Sequence, residues 1–479
     1  MEMKKVFKNT KLVCTIGPKS ESKEMMAKLV DEGMNVIRCN FSHGDYAEQG
    51  ARFATIREIN AEKGTHVGVL LDTRGPEIRT HLFENGGVNL DAGQTIAISM
   101  SEVLGTKEKF SVNYPGLIND IEVGGLILVD DGNVELTIIE VDKAAGDIIC
   151  SVKNDAYVKD RRGINVPSVK LNMEFLDEKD RADIVFGCEE QVDFVAASFV
   201  RRAGDVAAIR AIFAEHGNTH TQIISKIENQ EGVDNLDEII EVSDGVMVAR
   251  GDLGVEVPAE EVPMIQKEII AKCNAAGKVV ITATQMLESM QENPRPTRAE
   301  VSDVANAVLD GTDAVMLSGE SAAGKYPLEA VETMARIARR TEVEIDFDEM
   351  TARALSGSQR NVSSAVALSV ADSVADLDAS IVVAATKSGS TARTISKHRP
   401  STPIIAATPC TKAAAALSLH WGIHPVIVED VPDGDEVIAQ AETIAVEVAG
   451  LVAGEVAVIT AGLPIGEGNT NVMKIVEVK

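Results

Sequence analysis

The strongest constraint on the fold is a rhythm: from residue 11 onward, short β-branched runs alternate with longer amphipathic stretches. Such alternation specifies parallel strands linked by crossover helices, because a parallel pair cannot be joined by a tight turn. The strand runs are Lys11–Gly17, Val36–Phe41, Val67–Thr73, Val192–Phe199, Gln222–Glu228, Gly245–Arg250, Lys278–Thr284 and Ala314–Ser318. Eight is the number that closes a parallel sheet into a (β/α)8 TIM barrel, where reactive groups gather at the carboxyl ends of the strands. A doubly wound open sheet is the competing arrangement. Arg38, Asn40, Ser42, Asp72, Thr73, Lys226, Glu228, Asp252 and Thr284 all fall at or just past strand ends.

Between the third and fourth runs the period breaks. From about Gly75 to Val169, alternating strands are punctuated by Asn85-Gly86-Gly87, Gly124-Gly125 and Asp131-Gly132 turns, which predicts an all-β insertion, a small β-barrel acting as a lid over the catalytic face. After a helix around Ala330–Glu342, the acidic connector Glu342–Asp348 leads into a third rhythm of alternating helices and strands. That region reads as a smaller open α/β domain. The expected division is residues 1–73 with 170–342 for the barrel, 74–169 for the lid and 343–479 for the C-terminal α/β domain.

A chain of 479 residues suits about three such units. Its 74 acidic and 46 basic residues give a formal charge of −28, which argues against nucleic acid or an anionic membrane as the main partner. Any anionic substrate must therefore meet local positive charge. Six cysteines without paired or metal-ligand spacing fit buried thiols in a reducing compartment. No apolar signal region follows Met1 and no run approaches a membrane span, so a soluble, unexported protein is expected.

In the fifth run, Lys226 and Glu228 stand at i and i+2 and so leave the strand on one face. Alone, that pair reads as a solvated salt bridge. Gly251-Asp252 ends the next run with a second carboxylate, and two carboxylates beside a lysine suggest a divalent metal site. Arg38, Asn40 and Ser42 share a face near Asp72-Thr73; neutral oxygens with one carboxylate suit a monovalent cation, against ordinary strand-end capping. Arg74 and Arg79 flank the departure of the insertion, and Arg161 and Arg162 its return, where guanidinium forks can take phosphate. His43 has no nucleophile at triad spacing and reads as structural. Gly319–Lys325 has the form of a phosphate loop, but Tyr326 replaces the hydroxyl that would hold magnesium and Pro327 follows, so it is a decoy. Thr386-Lys387-Ser388-Gly389-Ser390-Thr391, between a strand and a helix, is either an anion pocket or plain helix capping by Ser390 or Thr391.

Ile223-Ile224-Ser225-Lys226-Ile227-Glu228-Asn229 resembles the signature of the pyruvate kinase family. Similar family motifs are Cys14-Thr15-Ile16-Gly17-Pro18, Arg38-Cys39-Asn40-Phe41-Ser42-His43-Gly44, Asp72-Thr73-Arg74-Gly75-Pro76-Glu77-Ile78-Arg79-Thr80, Ala249-Arg250-Gly251-Asp252 and Ala283-Thr284-Gln285-Met286. The resemblance spans the barrel and lid and weakens over the last 140 or so residues, where no counterpart of the extra phosphohistidine-type domain of some members is expected. It implies phosphoryl transfer from phosphoenolpyruvate to ADP, giving pyruvate and ATP in the last step of glycolysis. Lys226 would stabilise the transferring phosphoryl group, with Arg38 and Thr284 in the catalytic set and Gly251 and Asp252 on the substrate. Glu228 and Asp252 would hold Mg2+ (or Mn2+), and Asn40, Ser42, Asp72 and Thr73 would hold K+, with Glu77 the residue that goes with potassium dependence. Asn40, Ser42, His43, Arg79 and Arg162 would bind nucleotide and phosphate, Arg162 standing where the family usually has Lys. A phosphate-bearing activator would sit on Thr386, Lys387, Ser388, Ser390 and Thr391. The second effector loop, Gly462–Asn469, carries Glu467 and no Arg, which points to a monophosphate. A cytoplasmic homotetramer is implied. A metal-dependent aldolase or lyase acting on a pyruvate enolate is the alternative, and a sugar-phosphate-sensing module a more distant one.

Overall fold

The computed structural model describes residues 7–356, 361–464 and 470–479. Eight parallel strands close into a barrel in chain order: β1 (Lys11–Thr15), β2 (Val36–Asn40), β3 (Gly68–Asp72), β4 (Phe194–Ala197), β5 (Gln222–Ile227), β6 (Gly245–Ala249), β7 (Val279–Ala283) and β8 (Ala314–Leu317), with β8 returning to β1. Each lies within the run expected for it, shortened by a residue or two where the chain turns at the reactive face. Two apolar layers hold it. Val13, Val36, Leu70, Phe194, Ile224, Met247, Ile281 and Met316 fill the inside, while Leu12, Ile37, Leu71, Ile223, Val246 and Val280 face the helices. Period-2 alternation along each strand produces this division.

Local chemistry fixes the helix ends. Asp45 caps Tyr46–Lys63 by accepting from Glu48 N, and Gly64, at φ 65°, ends it. Thr297 and Glu300 form a reciprocal capping box on Arg298–Asp310. These devices place each crossover so that the next strand enters in register.

The insertion between β3 and β4 is a seven-stranded sheet plus a two-stranded ribbon, Gly87–Leu90 against Ala156–Lys159. The two outermost strands of the seven, Ile78–Arg79 and Lys109–Ser111, meet at a single bridge between Thr80 and Val112. Its core, including Ile96, Phe110, Ile127, Leu136, Ile148 and Ile164, is separate from that of the barrel.

The last region is an open sheet. Labelled in chain order, β9 is Ile381–Ala385, β10 Ile404–Thr408, β11 Ile423–Ile427, β12 Val456–Ala461 and β13 Val472–Glu477. They lie in the order β11-β10-β9-β12-β13, with only β13 antiparallel. The helix that follows β10 is short, Thr411–Ala416. The chain leaves it to put Leu419 into the barrel's inner core, so a C-terminal side chain plugs the barrel floor. That seam is tied further by Lys11 Nζ donating to Ile423 O at 2.6 Å, and by Arg399, which pairs with Asp313 at 3.0 Å and lies 5.0 Å over the Trp421 ring.

Candidate active site

Strand geometry delivers the first cluster. Lys226, near the end of β5, is buried, with Nζ 2.7 Å from Ser198 Oγ, 3.2 Å from Asp72 Oδ1 and 2.9 Å from Glu228 Oε1. Asp72 ends β3 and is shared with Arg38, whose Nε donates to Oδ2 at 2.5 Å while another guanidinium nitrogen donates to Thr15 Oγ1. Arg38 is on β2, next to β3 in the barrel.

The electrostatics follow from this packing. Burial opposes the charge on Lys226, but the carboxylates of Asp72 and Glu228 outweigh it and its pKa is raised. Burial likewise works against ionised Asp72, and the cations of Arg38 and Lys226 overcome it, holding the carboxyl below its usual range. Glu228 goes the other way. Burial, with Asp252 adding repulsion, pushes it up to about 8 even though Lys226 pulls it down.

The metal positions can be tested on donor chemistry. Glu228 Oε2 accepts from Phe199 N at 2.6 Å, while Oε1 is buried and faces the Lys226 ammonium at 2.9 Å. A buried carboxylate whose pKa is raised by burial and by a second carboxylate is one that a divalent cation would return to its charged form. Among the described residues no group of three or more His, Cys, Asp or Glu could hold a metal ion. Glu228, with Asp252 near enough to repel it, fits a hard ion that takes one or two carboxylates and completes its shell with other oxygens. For the monovalent site, Asn40 stands beside Asp72 in the β2–β3 register. Asn40 Oδ1 accepts from Ser42 N, and Thr73 O accepts from Ser198 Oγ at 2.6 Å. One carboxylate and neutral oxygens gather there, which suits a weakly charged ion.

Thr284 follows β7 with φ 65°, and Gln285 with φ 54°. A β-branched residue in that region is a backbone outlier, of the kind held only where surroundings force it. Arg250 supplies the force: it donates to Ala283 O and Thr284 O and pairs with Asp303 at 2.6 Å. Thr284 Oγ1 in turn accepts from Gly251 N at 2.7 Å. Gly251 and Thr284 are therefore one unit, the hydroxyl of one holding the amide of the other.

A cavity of about 220 Å3 lies where insertion and barrel face each other, lined by Arg79, Arg162, Asp130, Asp131, Asn229, Glu231 and Asp252 among others. Arg79 pairs with Glu77 and donates to Arg161 O. Arg162 reaches Asp130 at 3.3 Å. Asn165 Nδ2 donates across the cavity to Glu256 Oε1 at 2.7 Å. Of the four arginines expected at the lid hinges, Arg79 and Arg162 line this cavity with Asp252, while Arg74 pairs with Asp177 instead; His43 is exposed on the turn after β2, which is tied down by Gln49 donating to Asn40 O and His43 O.

The effector set is divided. Thr386, Lys387, Ser388 and Thr391 line a cavity of about 50 Å3 with Glu429 and Asp430, and Lys387 pairs with Asp430 at 2.8 Å. Ser390 lines a different depression, with Arg393 and Lys397. The helix Ser390–Lys397 begins after Gly389 and has no side-chain cap, so plain capping by Ser390 or Thr391 does not account for the hydroxyls. Glu467 lies outside the described residues.

Sequence reasoning missed Ser198, whose side chain bonds both Lys226 and Asp72. Its only signal was a polar residue near the end of the fourth run, which like the first and eighth had offered no site residue. Arg250 was passed over as part of a motif and proves to be the brace of Thr284.

The chain matches the family model described as the barrel domain of pyruvate kinase over residues 7–331, and the one for its alpha/beta domain over 364–476. Similar curated proteins are the pyruvate kinase of Geobacillus stearothermophilus, 54% identical over 470 residues, and that of Bacillus licheniformis, 52% identical over 469; each alignment covers 98% of this chain and 80% of the relative. Among solved structures, a pyruvate kinase from Cryptosporidium parvum superimposes with a TM-score of 0.93 at 40% identity, covering 98% of this chain and 96% of that one. The chain belongs to the pyruvate kinase family.

Proposed function

We infer that this chain transfers the phosphoryl group of phosphoenolpyruvate to ADP, giving pyruvate and ATP. The observation that carries this reading is the buried Lys226–Asp72–Glu228 cluster, linked through the repulsion between Glu228 and Asp252 to the cavity that Asp252 lines with Arg79 and Arg162. Phosphoryl transfer asks a protein mainly for positioning and for charge aimed at the moving group. Lys226, held by Ser198 and two carboxylates, and Arg38, held by Asp72 and Thr15, present two oriented cations. Thr284 and Gly251 bind the substrate carboxylate end, Arg79 joins Arg38 on the phosphoryl group and Arg162 holds the nucleotide, with Asn40, Ser42 and His43 at the edge of that set. Glu228 and Asp252 would hold Mg2+ or Mn2+, and Asn40, Ser42, Asp72 and Thr73 K+; when bound, these ions neutralise substrate oxygens. The lid's closure excludes water, which strengthens every charge interaction inside.

The working units are residues 1–73 with 170–342, 74–169 and 343–479. The loop Thr386–Thr391 takes the phosphate of an activator; with Asp430 already on Lys387 and Glu429 beside it, a monophosphate is favoured over a bisphosphate. The enzyme works as a cytoplasmic homotetramer. No helix among the described residues is long and apolar enough to cross a membrane.

One coupled assay tests the central reading. Pyruvate release from phosphoenolpyruvate should require ADP; turnover without it would point to a lyase. Rates in potassium should exceed those in tetramethylammonium, and equal rates would remove the monovalent site. Changing Ser388 and Thr391 together to Ala should abolish the response to sugar monophosphates or AMP, and an unchanged response would place the pocket elsewhere.

A further inference from the structure

Asp180 is buried, 1% exposed, near the start of the helix Glu178–Glu189, whose cap, Asp177, accepts from its N–H. Among the described residues, neither carboxylate oxygen bonds a side chain. Oδ1 accepts from Arg74 N at 3.2 Å and Oδ2 from Gly75 N at 3.1 Å, so one carboxylate grips two successive backbone amides where the chain leaves β3 for the lid. Arg74 also pairs with Asp177. Gly75 has φ +78°, and a Cβ built on it would fall 2.7 Å from Ser198 Cβ and 2.9 Å from the Phe199 ring. The gripped backbone is thus pressed flat against the two residues that follow β4.

Those two residues reach the reactive groups directly. Ser198 Oγ bonds Lys226, Asp72 and Thr73 O, and Phe199 N–H, at φ 55°, bonds Glu228 Oε2. A contiguous path therefore runs from Asp180 through Gly75 to Ser198 and Phe199, and on to Lys226 and Glu228. We propose that Asp180 is a positioning residue for the phosphoryl-transfer reaction: by pinning the first lid hinge it sets Ser198 and Phe199, and through them the aim of Lys226 and Glu228. The proposal rests on the role given above to those two side chains. An Asn at this position keeps the shape and one acceptor but turns a donor toward the second amide, so the grip fails with little change in volume.

The test compares wild type, Asp180→Asn, Gly75→Ala and the double variant. Asp180→Asn is expected to lower kcat by about tenfold or more in protein that remains folded by circular dichroism. It should also weaken binding of Mn2+ to the resting enzyme, measured by titration without turnover, because Glu228 loses its backbone anchor. If both substitutions act through one path, the double variant should lose no more activity than the worse single one. Losses in kcat that multiply, or wild-type kcat and Mn2+ affinity in Asp180→Asn, would overturn the proposal. Failure of the proposed function would show separately, as wild-type protein whose pyruvate release needs no ADP.

Discussion

Lys226 is fixed by three partners at once, and that number changes what its loss should do. From the sequence, a strand-end lysine facing a polar site adds little to stability, so Lys226→Met would be purely catalytic. The structure corrects this: removing the ammonium leaves Asp72 with one cation fewer and Glu228 with none beside it, both buried. Breaking a buried pair costs on the order of 3–5 kcal/mol before the carboxyls respond by taking up protons. Turnover of Lys226→Met should fall by about 10²–10³ or more, and its thermal midpoint should drop too, the latter recovering as pH is lowered and the two carboxyls become neutral. A variant as stable as wild type at pH 8 would contradict the geometry. The strand arithmetic that paired Lys226 with Glu228 was legible because i and i+2 on a strand have no alternative. Ser198 was not legible, because its partners lie on the neighbouring strands β3 and β5, and the register that brings three strand ends onto one hydroxyl is not written in the period of any single run.

At the scale of elements, the eight strands and the break after the third were readable, since periodicity survives any tertiary context that keeps a strand half inside a core. The contacts between elements were not. Asn165, on a lid strand, reaches Glu256 at the end of the helix Arg250–Glu256 that also carries Asp252, and no sequence pattern links positions so far apart. This hydrogen bond joins the two walls of the cavity. Asn165→Ala should raise the KM for ADP by roughly tenfold, the range for one hydrogen bond to a charged partner, with a smaller change in kcat. Steady-state kinetics decide, and an unchanged KM would show that the lid closes without this clasp. The short helix Thr411–Ala416 shows the same limit: local propensity carries the helix onward, but Leu419 is worth more in the barrel floor than in another turn.

For the whole molecule, the seam between barrel and C-terminal sheet is where buried charge concentrates. Arg399 is 5% exposed, and its ion pair with Asp313 crosses that seam. Arg399→Met should strand Asp313 and cost about 3–5 kcal/mol in denaturant titrations; a loss under 1 kcal/mol would mean that the seam does not depend on this pair. Acid should act here as well. Burial, helped by Lys397, lowers His398 to about 4, and burial with the nearby cations lowers His420 well below its usual value. A depressed histidine contributes stability that is present above about pH 6.5 and is lost as pH falls toward its folded value. The thermal midpoint should therefore decline between pH 6.5 and 4, and His398→Asn should flatten that decline; parallel curves would exclude His398.

The seam also imposes an order in time. β1 pairs with β8, some three hundred residues later, and Lys11 finds its oxygen only on Ile423. As the chain emerges from a ribosome at roughly 5–20 residues per second, the first strand must wait for tens of seconds with its edge unpaired and its ammonium unmatched. The inserted sheet has its own core between residues 78 and 166 and can settle long before. What looks in the finished molecule like an appendage to the barrel is therefore the part able to exist first, with the barrel assembling around its two ends.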